Sequence, residues 1–514
     1  MANIILARGI ARANELALRV ALGATRLCIL RQLLTESFVL AILAGLLSIP
    51  CAILGTHALR AFGPANVPRL QQADLSLHVL GFTFIVAAIC AMIAGFAPAL
   101  VVSRRSPVER LRSGTPATPS GMMNTRSLLV IFEIALSVVL LTCAGLLIHS
   151  FFNVRAVDPG FEAEHVLKLN MALSGGSSEW PATLYDAIVD RLRAVPGVTA
   201  VGAIDSMFDL GQTDNLALRA IEGRASEPRQ QWTALTWDTV RGDYFAAIGA
   251  RLIHGRYFND SDSARAPLVA VIDESMARRY WPGKNPVGKR FKGQDRRGQN
   301  DDWLTVVGVV RDIRTHGLER PATPHVYEWY RQSGNATADI VVRTLGDPAP
   351  MAASLRSVVR DVAPSAILSE IMPVNQELQR QIAPRRFQTA LLGLFSWLAL
   401  LLVTVGVYGL MHYSVVQRSH EIGIRMALGA DRSGIVAMIF RECLTLVAAG
   451  LVLGIALDWM TTRVLSKLLF GISASDPLTL LAVSFLLLGV SALASFQPAF
   501  KAASIDPMRA LRTE

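Results

Sequence analysis

The chain has 514 residues, of which 52% are hydrophobic and only 18% charged, and its formal net charge is +10. A soluble domain carries about 25% charged residues, so these proportions exclude a protein that is soluble along its whole length. The basic residues form no compact patch in the sequence, which argues against a nucleic-acid partner. The apolar residues lie in blocks, whereas residues 153–385 have the composition of an ordinary soluble domain.

Six apolar blocks predict membrane-spanning helices, because about 20 apolar residues cross about 30 Å of hydrocarbon. A buried core helix is the alternative for each block, but such helices are usually amphipathic. The predicted spans in chain order are 37–55, 79–102, 128–148, 389–411, 443–460 and 478–496. We therefore predict a polytopic α-helical membrane protein with one α+β domain between its third and fourth spans.

Basic residues beside the spans predict their orientation, because Lys and Arg in short loops stay on the cytoplasmic side. If the chain crosses the membrane at each predicted span, four segments lie on one side, and both termini are among them. These four segments hold sixteen basic residues, whereas loops 56–78 and 461–477 on the other side hold four. We expect both termini in the cytoplasm and residues 153–385 outside it. Anionic headgroups of membrane lipid would then face the basic flanks.

Residues 153–385 alternate helical and strand-like patterns, which predicts an α+β domain, divisible into two parts, with ferredoxin-like βαβ units. The predicted helices are 182–195 and 350–362, and the predicted strands are 198–204, 268–272, 303–313 and 366–372.

One stretch of this domain, GKNPVGKR at 283–290, matches the phosphate-binding pattern GxxxxGK[ST] except at its last position, Arg290. The missing hydroxyl is the group that holds Mg²⁺ in a nucleotide site. The residues before Gly283 indicate a helix that ends at Pro282, whereas a phosphate-binding loop follows a strand. We predict that Gly283 and Gly288 form turns and that the chain hydrolyses no nucleotide itself.

The domain shows no catalytic constellation, and we predict no enzyme activity, cofactor or metal site. The histidines lack metal-ligand spacing; they include His149, His165, His254, His316 and His325. Four acidic residues beside turns or helix starts are predicted caps: Asp158, Asp243, Asp273 and Asp312. The cysteines, which lie in or next to the spans, are Cys28, Cys51, Cys90, Cys143 and Cys443, so the domain has no disulfide.

Two parts of the chain repeat one another. Residues 15–26 (ELALRVALGATR) align with 421–432 (EIGIRMALGADR) at an offset of 406, and Glu36 meets Glu442 at the same offset. A second pair of segments aligns at an offset of 400, namely 98–112 with 498–512. Each copy contains a basic amphipathic helix, a span, a loop, a second span and a basic tail interrupted by proline.

The first copy lacks what precedes the second copy, which is span 128–148, the α+β domain and span 389–411. We therefore expect the chain to begin late in the first copy of a protein with eight spans and two such domains. A genuine six-span protein is the alternative.

The order of span, large domain, span, EIGIRMALGA, two spans and PAFKAASIDPMRALR resembles the FtsX-like, MacB-type permeases of ABC systems. The stretches YFAAIGARLIHGRYF (244–258) and VAVIDESMARRYWPGKNPVGKRF (269–291) resemble the MacB-type periplasmic core domain. The doubling resembles the duplicated orphan permeases of that superfamily. The resemblance divides the chain into a cytoplasmic helix region, an incomplete first permease repeat, a linker, a span, the core domain and a second permease repeat: 1–36, 37–112, 113–127, 128–148, 153–385 and 389–514.

The resemblance implies a permease subunit in a bacterial inner membrane, for efflux or envelope substrate handling. The implied partners are a separate nucleotide-binding ATPase, a periplasmic adaptor or outer-membrane protein, and a second permease half in a homodimer or a pseudo-dimer. The spans contain no continuous polar stripe, which disfavours a channel and favours mechanical transmission. A non-transporting protein that regulates an envelope partner is the alternative; a membrane-anchored enzyme is disfavoured by the missing catalytic cluster.

The resemblance also implies that the two repeated helices couple the spans to the ATPase. The residues expected on this surface are Glu15, Arg19, Gly23, Arg26, Glu421, Arg425, Gly429 and Arg432. The spacing of Glu421 and Arg425 predicts an i,i+4 ion pair, and the glycines are expected to end the helices. An interfacial anchor without a partner is the alternative.

Two acidic residues lie within predicted spans. Glu133 is about one turn into its span, and a charged group at the bilayer centre costs on the order of 3 kcal/mol. We expect Glu133 to face other helices, where its role is either a structural polar contact or a function. Asp458 lies near the end of its span, where we expect it to reach the headgroup region.

Overall fold

The computed structural model describes residues 25–63, 76–104, 120–173, 182–208, 216–224, 234–293, 302–333, 339–465, 469–473 and 476–504. Two compact units divide the chain. The helical unit lies within Met1–Asn153 and Pro384–Glu514, and the sheet unit is Val154–Ala383.

Helices of very different length occur in the two units. In chain order they are α1 (Arg26–Phe62), α2 (Leu77–Arg104), α3 (Ser120–Arg155), α4 (Ala182–Arg193), α5 (Tyr244–Ile248), α6 (Glu274–Tyr280), α7 (Tyr330–Ser333), α8 (Ala352–Val362), α9 (Val374–Gln417), α10 (Ser419–Ala427), α11 (Arg432–Leu465) and α12 (Pro477–Ala503). The strands are β1 (Val166–Leu173), β2 (Val198–Ile204), β3 (Leu216–Ile221), β4 (Ala234–Gly242), β5 (Leu252–Gly255), β6 (Val269–Asp273), β7 (Arg290–Gly293), β8 (Leu304–Val310), β9 (His325–Trp329), β10 (Asp339–Thr344) and β11 (Ala366–Pro373).

Five helices in the described residues are long and apolar enough to cross a membrane, and they contain five of the six predicted spans. These segments are Leu34–Ala61, Ser127–Arg155, Val374–Gln417, Arg432–Thr461 and Pro477–Ala503. The sixth predicted span, 79–102, lies in α2, which runs from Leu77 to Arg104. Its described apolar part is Leu77–Ile89, so a crossing at this helix stays a prediction.

The helical unit has an apolar interior and an apolar exterior. Helices α3, α9, α11 and α12 share a core that includes Ile134, Val403, Val447 and Leu487. Large apolar side chains also point away from the unit; Leu47, for example, is 70% exposed. An exposed apolar surface of this extent is unfavourable in water. For helices of this length, the hydrocarbon of a lipid bilayer covers such a surface. The protein is therefore a multi-pass membrane protein.

Two glycines let α11 approach α3 closely. A Cβ atom at Gly450 would lie 2.6 Å from Cγ2 of Ile134, and one at Gly454 would lie 2.6 Å from Cβ of Val138. Small residues four positions apart are a common means of bringing two membrane helices together. This pair of glycines therefore fixes the distance between α3 and α11.

Helix α9 is 44 residues long and contains Pro384. At 1.5 Å per residue it extends for about 66 Å, roughly twice the thickness of the hydrocarbon layer. Proline has no amide hydrogen, so the helical hydrogen-bond ladder lacks one donor at this position. The helix nevertheless continues through Pro384.

Four antiparallel strands form the first part of the sheet unit, in the order β11-β1-β10-β2. Helices α4 and α8 pack on this sheet, where Tyr185 and Leu355 meet strand residues such as Leu169 and Val342. The chain order β1-α4-β2 and β10-α8-β11 with this strand order is a ferredoxin-like arrangement. The predicted βαβ units are thus present, and β2 covers the predicted 198–204.

The second part of the sheet unit is inserted between β2 and β10. Its strands follow the order β4-β3-β7-β8-β6-β9, and β9 returns to pair with β4, so that six strands form a closed ring. The ring encloses a second apolar core that includes Trp237, Ile272 and Phe291. The strand order thus contains a four-stranded part and a six-stranded ring within one compact unit.

The stretch GKNPVGKR connects α6 to β7, so a helix precedes it and a strand follows it. The backbone φ angles of Gly283 and Gly288 are +68° and +83°, values that favour glycine in turns. A phosphate site of the P-loop kind needs the reverse order, with the N-terminus of a helix directly after the loop. The prediction of turns is confirmed.

The predicted acidic caps differ in their actual contacts. Asp273 caps α6 by accepting a 2.8 Å hydrogen bond from the backbone N–H of Met276. Asp243 precedes α5 but makes no side-chain cap, because its carboxylate pairs with Arg193 at 2.6 Å instead. For Asp243 the capping prediction was wrong.

Candidate coupling site

Helix α10 connects the end of α9 to the start of α11. It ends where Gly429 adopts a φ of +89°, a left-handed conformation that side-chain-bearing residues rarely take. The N–H of Gly429 donates to the carbonyl of Met426 at 3.1 Å, and that of Ala430 donates to Arg425 at 2.9 Å. Gly429 thus terminates the helix and redirects the chain into α11.

The two faces of α10 have different surroundings. Ile422 is 2% exposed and belongs to the core of the helical unit. Arg425 Nη2 pairs with Glu421 Oε1 at 2.5 Å, and both side chains are about half exposed. Leu428 beside them is 83% exposed. The helix is therefore anchored through Ile422 and presents two partly exposed charges and one exposed apolar side chain.

The ion pair predicted from spacing is present, but its energetic value for the fold is small. Exposed pairs of this kind contribute at most about 1 kcal/mol because water screens both charges. Arg425 also contacts α11, since its Nη1 lies 3.4 Å from Sδ of Met438. Both charged side chains are still about half exposed and can meet a partner protein.

A second ion pair attaches α10 to α11. Arg418, which directly precedes α10, has Nη1 3.2 Å from Glu442 Oε2, and both side chains are about one third exposed. The hydroxyl of Ser414 in α9 donates to the same carboxylate at 3.4 Å. We call this contact the 418–442 bridge. It joins the last turn of α9, the start of α10 and the third turn of α11.

The 418–442 bridge was not predicted, although the sequence contains a signal for it. Glu36 and Glu442 align in the repeat, and Arg12 and Arg418 are separated by the same offset of 406. A charged pair of opposite sign that recurs together in both copies indicates a contact, even when the two residues lie 24 positions apart.

A groove of about 520 Å³ lies beside the turn into α11. The first turns of α11 and the last turns of α12 line it, with Val436, Phe440 and Phe500 among its apolar residues. At its rim, the hydroxyl of Ser433 donates to Asp431 and holds the pKa of that carboxyl below its usual value. Arg432 also lines the groove, so both signs of charge stand at its edge.

Only one of the four residues that the first copy contributes to the predicted coupling surface lies within the described residues. Glu15, Arg19 and Gly23 lie outside the described residues. Arg26 is the first residue of α1. Whether the first copy forms the same surface stays a prediction.

The two acidic residues of the spans are both turned inward. Glu133 in α3 is half-buried, and its Oε2 atom has no hydrogen-bond partner among the described residues. Asp458 is 3% exposed, so the expectation that it reaches the headgroups was wrong. It lies one helical turn beyond Gly454, on the face of α11 that packs against α3, and this position buries it.

Two histidines of the sheet unit make separate structural contacts. His325 and Asp238 are buried together with 2.9 Å between Nε2 and Oδ2. His316 bonds the hydroxyl of Thr236 at 2.8 Å. In the described residues no three or more His, Cys, Asp or Glu side chains are grouped so that they could hold a metal ion.

Two protein-family models match the chain and together cover most of it. The model described as FtsX-like permease C-terminal matches residues 1–107 and 393–507. The model described as MacB-like periplasmic core domain matches residues 127–358. The first match includes α10 and its repeat equivalent, 15–26, and the second includes most of the sheet unit.

Curated relatives have names of export proteins. The macrolide export ATP-binding/permease protein MacB of Bdellovibrio bacteriovorus is 31% identical over 312 residues, which are 56% of this chain and 46% of that protein. The probable syringafactin export ATP-binding/permease protein SyfD of Pseudomonas syringae is 28% identical over 286 residues, 53% of this chain and 41% of that protein. The chain spans about half the length of the curated relatives it matches.

Among solved structures, the periplasmic region of MacB from Actinobacillus actinomycetemcomitans aligns with 44% of this chain and 94% of its own, at 16% identity and a TM-score of 0.31.

Proposed function

Since this chain belongs to the FtsX-like, MacB-type family of ABC permeases, we propose that it transmits motion from a separate ATPase to its sheet unit. In this proposal the protein lies in a bacterial inner membrane, both termini are cytoplasmic and the sheet unit is extracytoplasmic. The observation that carries the proposal is α10. It is anchored through Ile422 and the 418–442 bridge, and it presents Glu421, Arg425 and Leu428 to the surroundings.

The contacts of α10 determine which helices move when a partner displaces it. A partner that binds Glu421 and Arg425 moves Arg418 as well, because Arg418 directly precedes the same short helix. The 418–442 bridge passes that displacement to α11, and the chain itself passes it to α9. Since α9 is one continuous helix from Val374 to Gln417, it carries the displacement along its length.

Export is the function that the relatives favour. Two of them are named for the export of a macrolide and of syringafactin. The side chains buried between α3, α9, α11 and α12 are mostly apolar, with separate polar groups such as Asp458 among them, and this composition disfavours a continuous water-filled path between these helices. We therefore propose that substrate is handled by the extracytoplasmic unit and that the membrane helices supply motion. A periplasmic adaptor or outer-membrane protein is the proposed exit partner.

A double charge reversal tests the coupling role. The variant Glu421→Arg with Arg425→Glu keeps an i,i+4 pair within α10 and leaves Ile422 untouched, so folding and insertion should survive. A wrong sign opposite each partner residue costs several kcal/mol across a specific interface. We expect normal abundance in the membrane and loss of the ATPase from complexes purified from native membranes.

The control reverses another exposed pair of the same chain. Arg380 and Glu370 are 2.5 Å apart and each is about half exposed, as in α10, but they belong to the sheet unit. Glu370→Arg with Arg380→Glu should leave the ATPase bound. If both variants retain the ATPase and its stimulation, α10 is only an interfacial anchor and the proposed function fails.

A regulator of an envelope partner that moves no solute is the second candidate, and the same apolar core favours it. ATP-dependent efflux in inverted membrane vesicles separates the two. Coupling without efflux of any tested amphiphile would favour the regulator.

A further inference from the structure

The groove beside the turn into α11 changes in polarity along its length, and we call it the α11–α12 groove. Its polar lining residues lie at the start of α11 and just after the end of α12; they are Arg432, Ser433 and Ser504. Its apolar lining residues lie farther along each helix from these termini; they are Val436, Ala437, Phe440, Phe500 and Ala503. The groove therefore has one polar end and an apolar remainder.

The polar end of the groove lies where two membrane helices reach the membrane surface. The segment of α11 that is long and apolar enough to cross a membrane begins at Arg432, and that of α12 ends at Ala503. Phe440 lies about two helical turns, or 12 Å, from Arg432 along α11, which places it at the depth of the hydrocarbon. A molecule with a polar head and an apolar chain, lying parallel to the helices, matches this distribution.

The apolar wall of the groove is open to the surroundings of the helical unit. Phe500 is 56% exposed and the neighbouring Phe496 is 52% exposed, with their ring centroids 4.5 Å apart. Two aromatic side chains exposed side by side in this way favour contact with hydrocarbon over contact with water.

Charges of both signs stand side by side at the polar end. Arg418 and Arg425 of the same helical unit are each paired with a glutamate, whereas exposed Arg432 has no acidic partner among the described residues. Asp431 next to it is also exposed, and its carboxylate accepts a hydrogen bond from the hydroxyl of Ser433. The polar end thus offers an unpaired cation and, directly beside it, a carboxylate.

We propose that the α11–α12 groove binds a phospholipid whose headgroup contains both a phosphate and an ammonium group. The phosphate pairs with Arg432, because a guanidinium can donate two parallel hydrogen bonds to phosphate oxygens. The ammonium group meets Asp431, whose carboxylate oxygens can accept hydrogen bonds in addition to the one from Ser433. One acyl chain lies along Phe440 and Phe500. No ATPase takes part, so the inference stands apart from the proposed function.

Photolabelling by a phospholipid tests the proposal. The full 514-residue chain is kept in a detergent with a sugar headgroup, so that no other phosphate competes, and no ATPase is added. The probe is phosphatidylethanolamine with a diazirine in one acyl chain. We expect saturable adducts on the peptides that contain residues 436–440 and 500–504, as mass spectrometry would show.

Two variants separate the headgroup contact from the apolar contact. Arg432→Gln should reduce the labelling about fivefold, the upper end of what one exposed ion pair contributes. The matched control is Arg26→Gln, because Arg26 is the first residue of α1 and the repeat equivalent of Arg432, and it should leave labelling of the two peptides unchanged. Ala437→Trp fills the groove without removing a charge and should abolish the labelling.

Matched probes with the same photoreactive chain show whether the headgroup matters. Equal labelling by a diacylglycerol, which has no phosphate, would mean that the exposed rings accept any hydrocarbon and would overturn the proposal. Stronger labelling by phosphatidylglycerol than by phosphatidylethanolamine would overturn the assigned role of Asp431.

Other occupants of the groove would give different results, each of which overturns the proposal. Labelling of a chain shortened to residues 1–504 but not of the full chain would mean that residues 505–514 fill the groove. Labelling of the purified chain but not of the same chain in native membranes would mean that a protein partner covers it. Absence of adducts on both peptides in every sample would mean that no lipid binds there.

Discussion

The two copies of the repeat have similar sequences and dissimilar surroundings. In the second copy, α11 and α12 are built into a core with α3 and α9, and residues such as Val447 and Leu487 are almost fully buried. In the first copy, α1 packs against α2, and Leu47 and Ser48 are exposed. The difference shows that the two spans of the second copy owe their burial to helices outside the repeat. The helix that precedes them in the chain, on the far side of a whole domain, supplies the remaining contacts.

The largest expected difference between the two copies is the loss of stability when a larger side chain replaces a small residue. A branched side chain at Gly454 has no space, since a Cβ atom there already lies 2.6 Å from Val138. We expect Gly454→Ile to destabilise the chain by about 1 to 3 kcal/mol, the usual range for an overfilled core. The measurement is the thermal unfolding midpoint of the 514-residue chain in detergent.

The equivalent change in the first copy is the control for that experiment. Ser48→Ile places its side chain on an exposed face and should leave the unfolding midpoint of the isolated chain unchanged. Equal destabilisation by both variants would mean that α1 is packed as tightly as α11.

The 418–442 bridge should have a smaller effect on stability and a clear effect on coupling. Glu442→Gln removes one charge of a pair that is about one third exposed, so the free energy of unfolding should change by about 1 kcal/mol or less. We expect weaker stimulation of the bound ATPase, because α10 is then less firmly attached to α11. The charge exchange Arg418→Glu with Glu442→Arg should restore part of the stimulation.

Glu36→Gln extends this test to the first copy. If Arg12 and Glu36 form the equivalent bridge, this variant should reduce stimulation as Glu442→Gln does. A loss for Glu442→Gln alone would show that the first copy is not coupled in the same way.

Thiol labelling should show the smallest but simplest difference. Cys51 in the first copy is exposed, whereas Cys443 in α11 and Cys143 in α3 are 3% and 6% exposed. A small membrane-permeant thiol reagent should modify Cys51 in the native protein and the other two only after denaturation, as mass spectrometry of peptides would show. Rapid labelling of Cys443 would contradict the packing of α11.

Much of the fold could be predicted from residue patterns. Blocks of apolar residues identified five of the six predicted spans, and strand β2 covers the predicted 198–204, because length and periodicity are local properties. Gly429 was also predictable as the end of a helix, since the left-handed backbone conformation favours glycine.

The remaining features depend on contacts between distant segments. Helix α11 is apolar on all sides, so its sequence does not reveal which face meets α3, and the burial of Asp458 was missed for this reason. The closed ring depends on pairing β4 with β9, whose residues Thr236 and His325 lie far apart in sequence. The 418–442 bridge was equally non-local, although the repeat offered an indication of it.

Pro384 gives the 44-residue helix α9 a mechanical property that its length alone does not suggest. The missing amide hydrogen and the bulk of the proline ring weaken the ladder around one turn, and sharp bends of helices concentrate at such turns. The helix should therefore bend most easily near residue 384, and the stretches on either side should be stiffer. A chain carrying Pro384→Ala should therefore resist bending there.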